Sequence, residues 1–111
     1  MIAELVTYQL PPSMTREEAM AAARATVEKW QSNPDLIRKH FLLEPGNRTS
    51  GFYLWTSREA AERAHGEEFR RGVRERFGCE PEIRYFDVMM VLDNLSGEVV
   101  GDPGRPAPPQ P

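Results

Sequence analysis

Apolar positions recur along this chain with two different periods, and turn residues separate the stretches that carry them. Residues 1–10, MIAELVTYQL, are rich in β-branched and aromatic types and stop at Pro11-Pro12, which cannot continue a ladder; they predict a strand. Thr15, with Glu18 three residues on, forms a capping box at the head of an Ala-rich stretch running from Arg16 to Gln31 before Asn33-Pro34. Within it Met20, Ala23, Val27 and Trp30 keep helical spacing, while Arg16, Glu17, Arg24 and Glu28 turn outward, so one amphipathic helix is expected. Leu36 to Leu43 reads as a strand, and Glu44-Pro45-Gly46-Asn47 supplies the turn that sends it back as Gly51 to Thr56.

Thr56 or Ser57 caps a second helix with the stripe Ala61, Ala64, Phe69, Val73 and Phe77, which Gly66 divides into two pieces. Gly78 ends it, Pro81 follows, and Ile83 to Leu92 predicts one long final strand. The order β-α-β-β-α-β is the split unit of ferredoxin-like α+β folds: a four-stranded antiparallel sheet with both helices on one face. The strands nevertheless carry large apolar groups on both faces. Tyr85, Met89 and Val91 oppose Phe86, Val88, Met90 and Leu92, and Phe52 and Leu54 oppose Tyr53 and Trp55. A second copy of the sheet, packed face to face as a homodimer, is the expected cover for the helix-free side.

Composition changes this picture at one end only. Ten of the 111 residues are proline, and Pro103, Pro106, Pro108, Pro109 and Pro111 crowd the C-terminus. The expected organisation is therefore a folded domain over residues 1–92 and a Pro/Gly-rich tail over 93–111. The net charge of −3 falls mostly in that tail, leaving a nearly neutral body without an electrostatic footprint for nucleic acid or anionic lipid. The longest uncharged apolar run, Val88 to Leu92, is far short of the ~20 residues that span a bilayer, and no leader pattern opens the chain; a soluble, cytoplasmic protein is expected. One cysteine, Cys79, excludes an internal disulfide and a cysteine-rich zinc site.

The hairpin Asn33-Pro34-Asp35-Leu36-Ile37-Arg38-Lys39-His40-Phe41, the strand Ser50-Gly51-Phe52-Tyr53-Leu54-Trp55-Thr56-Ser57 and the later Tyr85-Phe86-Asp87-Val88 resemble the YdhR-like mono-oxygenases. That family belongs to the dimeric α+β barrel superfamily, which also holds antibiotic-biosynthesis mono-oxygenases and haem-degrading enzymes. The resemblance covers roughly residues 1–92, with Asp35 standing where the family tends to carry Gly. It implies a dimeric barrel, a pocket between sheet and helices in each subunit, and a cofactor-independent mono-oxygenase activity on an aromatic or polyketide-like small molecule.

No nucleophile elbow, phosphate loop, zinc motif or dinucleotide fingerprint is present, and no metal or cofactor is expected. The candidate chemistry lies in the hairpin. By the two-residue period Arg38, His40, Tyr53 and Trp55 are expected on one face, with Lys39, Phe41, Phe52 and Leu54 on the other; a one-residue difference in register exchanges the partners. His40 is the expected general base, taking a proton from an acidic phenol or enol, and Tyr53 orients the substrate oxygen. Trp55 offers an aromatic wall, Arg38 or Lys39 stabilises the anion, and His65 reaches the pocket from the second helix.

Structural roles compete with each assignment. His40 suits a sheet edge or dimer interface, Tyr53 and Trp55 suit the core, Lys39 suits an ion pair with Asp87, and His65 suits a solvent-facing helix position. Two other functions share this topology. RNA-recognition modules need a basic residue, a small residue and a second stacking ring where this chain has Ser50, Tyr53 and Leu54. A non-catalytic small-molecule-binding or regulatory dimer is the more serious alternative.

Overall fold

The computed structural model describes residues 1–101. Six strands and four helices follow in the order β1 (Ile2–Gln9), α1 (Arg16–Arg24), α2 (Val27–Gln31), β2 (Leu36–Leu43), β3 (Arg48–Trp55), α3 (Arg58–Ala64), α4 (Glu67–Phe77), β4 (Glu82–Asp87), β5 (Met90–Asp93) and β6 (Glu98–Gly101). The main sheet is four-stranded and antiparallel with strand order β2-β3-β1-β4, so β1 and β3 are the central strands and β2 and β4 the edges. This is the expected ferredoxin-like α+β architecture. No helix is long and apolar enough to cross a membrane.

Turn chemistry secures the frame. Gly46 and Asn47 take positive φ between β2 and β3, and the Asn47 amide donates to the carbonyls of Pro11 (2.9 Å) and Met14 (2.7 Å), tying that turn to the loop that leaves β1. The Thr15 capping box forms as the spacing predicts, with Glu18 returning the bond to the Thr15 backbone. Gly78, at φ +70°, closes α4.

Two elements differ from the sequence expectation. The first helix is two helices: Thr26 bonds back to the Ala23 carbonyl through both its hydroxyl (2.7 Å) and its N–H (3.0 Å), tightening the turn and breaking the ladder. Its predicted stripe consequently buries little. Met20 and Val27 are exposed, α1 contains no buried residue, and Trp30 is the sole buried residue of α2. The second difference is the final strand, which stops at Asp87 and resumes as β5. Asp93 Oδ1 accepts from the Leu95 N–H (2.9 Å), Gly97 takes φ +75°, and Glu98–Gly101 folds back on β5 as a small hairpin. The remainder of the Pro/Gly tail, residues 102–111, lies outside the described residues.

Strand register sorts the side chains. Glu4, Val6 and Tyr8 of β1, Tyr53 and Trp55 of β3, Lys39 and Phe41 of β2, and Ile83 and Tyr85 of β4 face the helices. The core there joins Val6, Trp30, Tyr53, Trp55, Ala60 and Ala61. Phe52, Leu54, Arg38, His40, Leu42 and Phe86 occupy the opposite, helix-free face.

Candidate active site

The centre of the helix-covered face is a carboxylate. Glu4 is fully buried, although it stands in a strand whose neighbours Val6 and Tyr8 pack the core. Its rung of the sheet places Tyr53 on one side and Tyr85 on the other. Burying an ionisable group is costly unless partners meet it. Trp55 donates its indole N–H to Glu4 Oε1 at 2.9 Å, and His65 Nδ1 lies 2.8 Å from the same oxygen, at ion-pair distance but off line for a hydrogen bond.

His65 reaches this position because of the Gly66 break. It is the residue that closes α3, at φ −125° and ψ 47°, so its side chain leaves the helical path and enters the core instead of facing solvent. The ring is only 2% exposed. Four aromatic rings enclose it: Trp30 stacked at 5.6 Å, Tyr53 and Phe69 edge-on at 4.6 Å each, and Trp55 edge-on at 6.3 Å. Within this cluster Glu4 Oε2, both His65 ring nitrogens and the Trp30 indole nitrogen are buried without a hydrogen-bond partner. Buried polar atoms are ordinarily satisfied, so four orphans in one cluster mark a place built for something other than packing.

Tyr53 lies flat over β3 because Gly51 leaves room for it. A Cβ at Gly51 would stand 2.6 Å from Tyr53 Cε1. Burial, reinforced by Tyr8 and Glu4, pushes the Tyr53 phenol well above its usual range, which keeps it a neutral hydrogen-bond donor. Tyr85 is raised too, by burial and by the Glu4 carboxylate.

Lys39 closes the β2 side. Its ammonium sits among the rings of Phe41 (4.1 Å), Trp30 (4.4 Å) and Tyr53 (4.6 Å), not beside Asp87. Burial, helped by the nearby Lys29, lowers its pKa to about 7, against the pull of three ring faces toward the charged form. The amine can therefore carry or release a proton near neutrality.

The expected sharing of a face by Arg38, His40, Tyr53 and Trp55 is corrected by the register. Lys39 pairs with Tyr53, His40 with Phe52 and Arg38 with Leu54, with a shift between Leu36 and Arg38. The register set at the turn, where Leu43 pairs with Thr49 and the Glu44 N–H donates to the Arg48 carbonyl, exchanges the partners, so Lys39, Tyr53, Trp55 and His65 come together while Arg38 and His40 lie across the sheet from them. His40 packs edge-on against Phe52 at 6.0 Å, and Arg38 reaches Asp93 at 3.4 Å. Both line a groove of about 350 Å³ on the helix-free face with Phe52, Leu54, Met90 and Leu92. A second cleft, of about 390 Å³, opens between the α2–β2 connection and α3.

Glu4 and Trp30 escape the motif reading. A signal for Glu4 is present nonetheless, since it is the one charged residue of the first strand and falls on the same two-residue phase as Val6 and Tyr8. Among the described residues no three His, Cys, Asp or Glu side chains form a metal-ligand set.

No family model matches the chain, and no curated protein matches it. Solved structures do. An antibiotic biosynthesis mono-oxygenase superimposes with a TM-score of 0.61 at 16% identity, covering 79% of this chain and 98% of that one. SnoaB, a cofactor-independent oxygenase from Streptomyces nogalater, gives 0.58 at 17% identity over 82% of this chain and 95% of its own. A mono-oxygenase from Streptomyces coelicolor in complex with nanaomycin D gives 0.56 at 16% identity over 77% and 84%. At these identities the likeness is one of fold, and the fold of this chain is that of the antibiotic-biosynthesis-mono-oxygenase-like proteins.

Proposed function

We propose that this chain is a cofactor-independent mono-oxygenase of an aromatic or polyketide-like small molecule, working in the cytoplasm as a homodimer joined through the helix-free sheet face. The observation that carries the reading is the buried His65–Glu4 pair, whose free Nε2 lies among aromatic rings beside Tyr53 and Lys39. The fold-level neighbours add a cofactor-independent oxygenase and a mono-oxygenase in complex with nanaomycin D.

The chemistry asks little of the protein. A phenol that loses its proton becomes electron-rich enough to reduce dioxygen itself. For a simple phenol, the ring carbon that loses its hydrogen takes one oxygen atom, the second oxygen leaves as water, and the product is a quinone. The substrate supplies every electron. His65 Nε2 takes the phenolic proton, and Glu4 on the other side of the ring orients the imidazole and stabilises its charged form. Tyr53 donates a hydrogen bond to the developing oxyanion, Lys39 supplies positive charge, and Trp55 and Phe69 keep the site apolar. General acid–base groups of this kind contribute about 10²–10⁴ in rate.

Oxygen uptake by the purified protein, measured against a panel of phenols and hydroquinones, tests this. A turnover rate that falls by about 10²-fold or more in His65→Ala and is unchanged in His40→Ala supports it; turnover indifferent to His65 removes that residue from the mechanism. The alternative of a non-catalytic binding or regulatory dimer draws on Trp30, which stacks on His65 where substrate would lie. Binding across the panel without oxygen uptake favours that alternative.

A further inference from the structure

We propose that Trp30 is a displaceable plug: its indole holds the slot that a planar, fused-ring aromatic anion occupies when α2 swings toward the α2–α3 cleft. The proposal rests on the reading that the space between sheet and helices is the substrate site.

The indole is held there without a hydrogen bond. It is 8% exposed, its N–H is buried without an acceptor, and it stacks on His65 with the planes 28° apart. Tyr53 meets it edge-on at 5.2 Å and Trp55 at 6.4 Å. These walls define a slot of two fused rings against the His65 ring, whose Nε2 is unpartnered. An occupant carrying a phenol oxygen satisfies a nitrogen that an indole leaves orphaned.

A lysine of the sheet sets the charge of that occupant. Lys39 Nζ, on β2, lies 4.4 Å from the Trp30 ring centroid. With the indole gone, this amine stays behind to face an aromatic guest, and a phenolate or carboxylate on that guest answers its charged form more strongly than a neutral ring does.

The arm that carries Trp30 is lightly anchored. Neither α1 nor α2 buries any other residue, and the turn at Thr26 separates α2, five residues long, from α1. Segments with so few buried contacts are the ones that open locally. The cleft of about 390 Å³ lies alongside, with Lys29 and Ser32 of the arm on one wall and Ala60 and Ala64 of α3 on the other, and Ala60 belongs to the same core cluster as Trp30. An exposed Arg63–Asp35 contact at 3.5 Å is the ion pair that joins the two walls.

The test uses the full chain with 5-fluorotryptophan at both tryptophans, Trp30→Phe to assign the two ¹⁹F signals, and 1-hydroxy-2-naphthoate as the probe. At saturation the Trp30 signal is expected to acquire a solvent isotope shift while the Trp55 signal stays buried. Trp30→Ala is expected to bind the naphthoate about tenfold or more tighter, because a closed majority state no longer competes with the probe. A Trp30 signal that stays buried at saturation, or no binding of the probe to the wild-type chain, overturns the proposal, and the ¹⁹F experiment decides even where Trp30→Ala does not fold. Oxygen uptake recorded in parallel separates the two readings. Displacement without uptake supports the plug and counts against the mono-oxygenase, whereas uptake with Trp30 still buried overturns the plug alone.

Discussion

The two faces of the main sheet are built by the same strands, one residue out of phase, and they hold the chain's two histidines in opposite circumstances. His65 on the covered face is sealed among four rings and paired with a buried carboxylate. His40 on the helix-free face is exposed and touches Phe52 beside the β5–β6 hairpin. Water separates their chemistries. A buried imidazole beside a buried carboxylate has a fixed partner and a dry surrounding, so proton transfer there is directional, whereas an exposed imidazole exchanges protons with solvent and is free to serve recognition. The helix-free face carries a different hallmark: exposed Phe41-strand neighbour Leu42 with Phe52 and Phe86, an apolar surface that calls for a cover.

The contrast breaks most severely at Glu4. Glu4→Ala leaves the Trp55 N–H and His65 buried without their oxygen, and losing one partner of such a buried set costs about 3–5 kcal/mol. Chemical denaturation is expected to show that loss, with Glu4→Gln retaining most of the stability because the amide keeps an acceptor for Trp55. Glu4 positions His65 without touching substrate, so Glu4→Gln is expected to alter the pH profile of turnover more than its substrate affinity. An unaltered profile disconnects the pair from catalysis.

On the other face the expected break is in assembly. Phe52→Glu combined with Phe86→Glu puts two carboxylates into an apolar surface and is expected to weaken the proposed homodimer by about 100-fold or more, read by sedimentation equilibrium. The covered face lies across the sheet, so the monomeric variant is expected to keep the near-ultraviolet circular dichroism of the Trp30, Tyr53 and Trp55 cluster. A double variant that sediments like the wild type shows that this face is not the interface.

Element order was legible because turn residues announce themselves. Pro11-Pro12, Pro45-Gly46-Asn47, Gly78 and Pro81 mark boundaries by backbone chemistry that neighbours cannot override. Face assignment was not legible, because the pairing that starts at Leu43 and Thr49 beside the turn sets every partner from there to Arg38 and Leu54, and the turn residues suit more than one register. His65 was obscured for a related reason. A residue at a helix break follows neither stripe, and its direction depends on the φ and ψ of one position. The division of the first helix turned on a hydroxyl bonding back to Ala23, a competition that helix propensity alone does not register.

A smaller perturbation sharpens the contrast within β3 itself. Gly51→Ala sets a methyl against Tyr53, whose ring is held by its stack on Trp55 at 5.8 Å and has little freedom to retreat. Overpacking of this kind costs about 1–3 kcal/mol. The loss is expected to appear in thermal melts with a fall in turnover. A neighbouring substitution on the opposite face, Ser50→Ala, removes the 2.9 Å hydroxyl contact with Thr7 and is expected to leave turnover unchanged. Equal effects of the two substitutions on turnover make β3 a structural strand with no preferred face.

The gentlest probe is Lys39, because its effect is a slope and not a loss. Burial holds its folded pKa at about 7, below the 10.5 of the unfolded chain. Between those values the unfolded chain binds a proton that the folded one does not, so this group makes stability rise as pH climbs from about 7 toward 10.5. Below about 7 both states are protonated, the slope vanishes, and the fold bears the full cost of a half-buried ammonium. Lys39→Met keeps the stem's volume among Trp30, Phe41 and Tyr53 and removes the titration. Its melting temperature is expected to exceed the wild type's at pH 6 by roughly a few degrees, with the margin narrowing toward pH 10, since partial contact with water discounts the effect. A margin constant across that range means that the three rings hold the ammonium well enough to cancel its desolvation. Lys39 then acts as a permanent cation toward an anionic substrate, and the variant's penalty falls on KM at every pH.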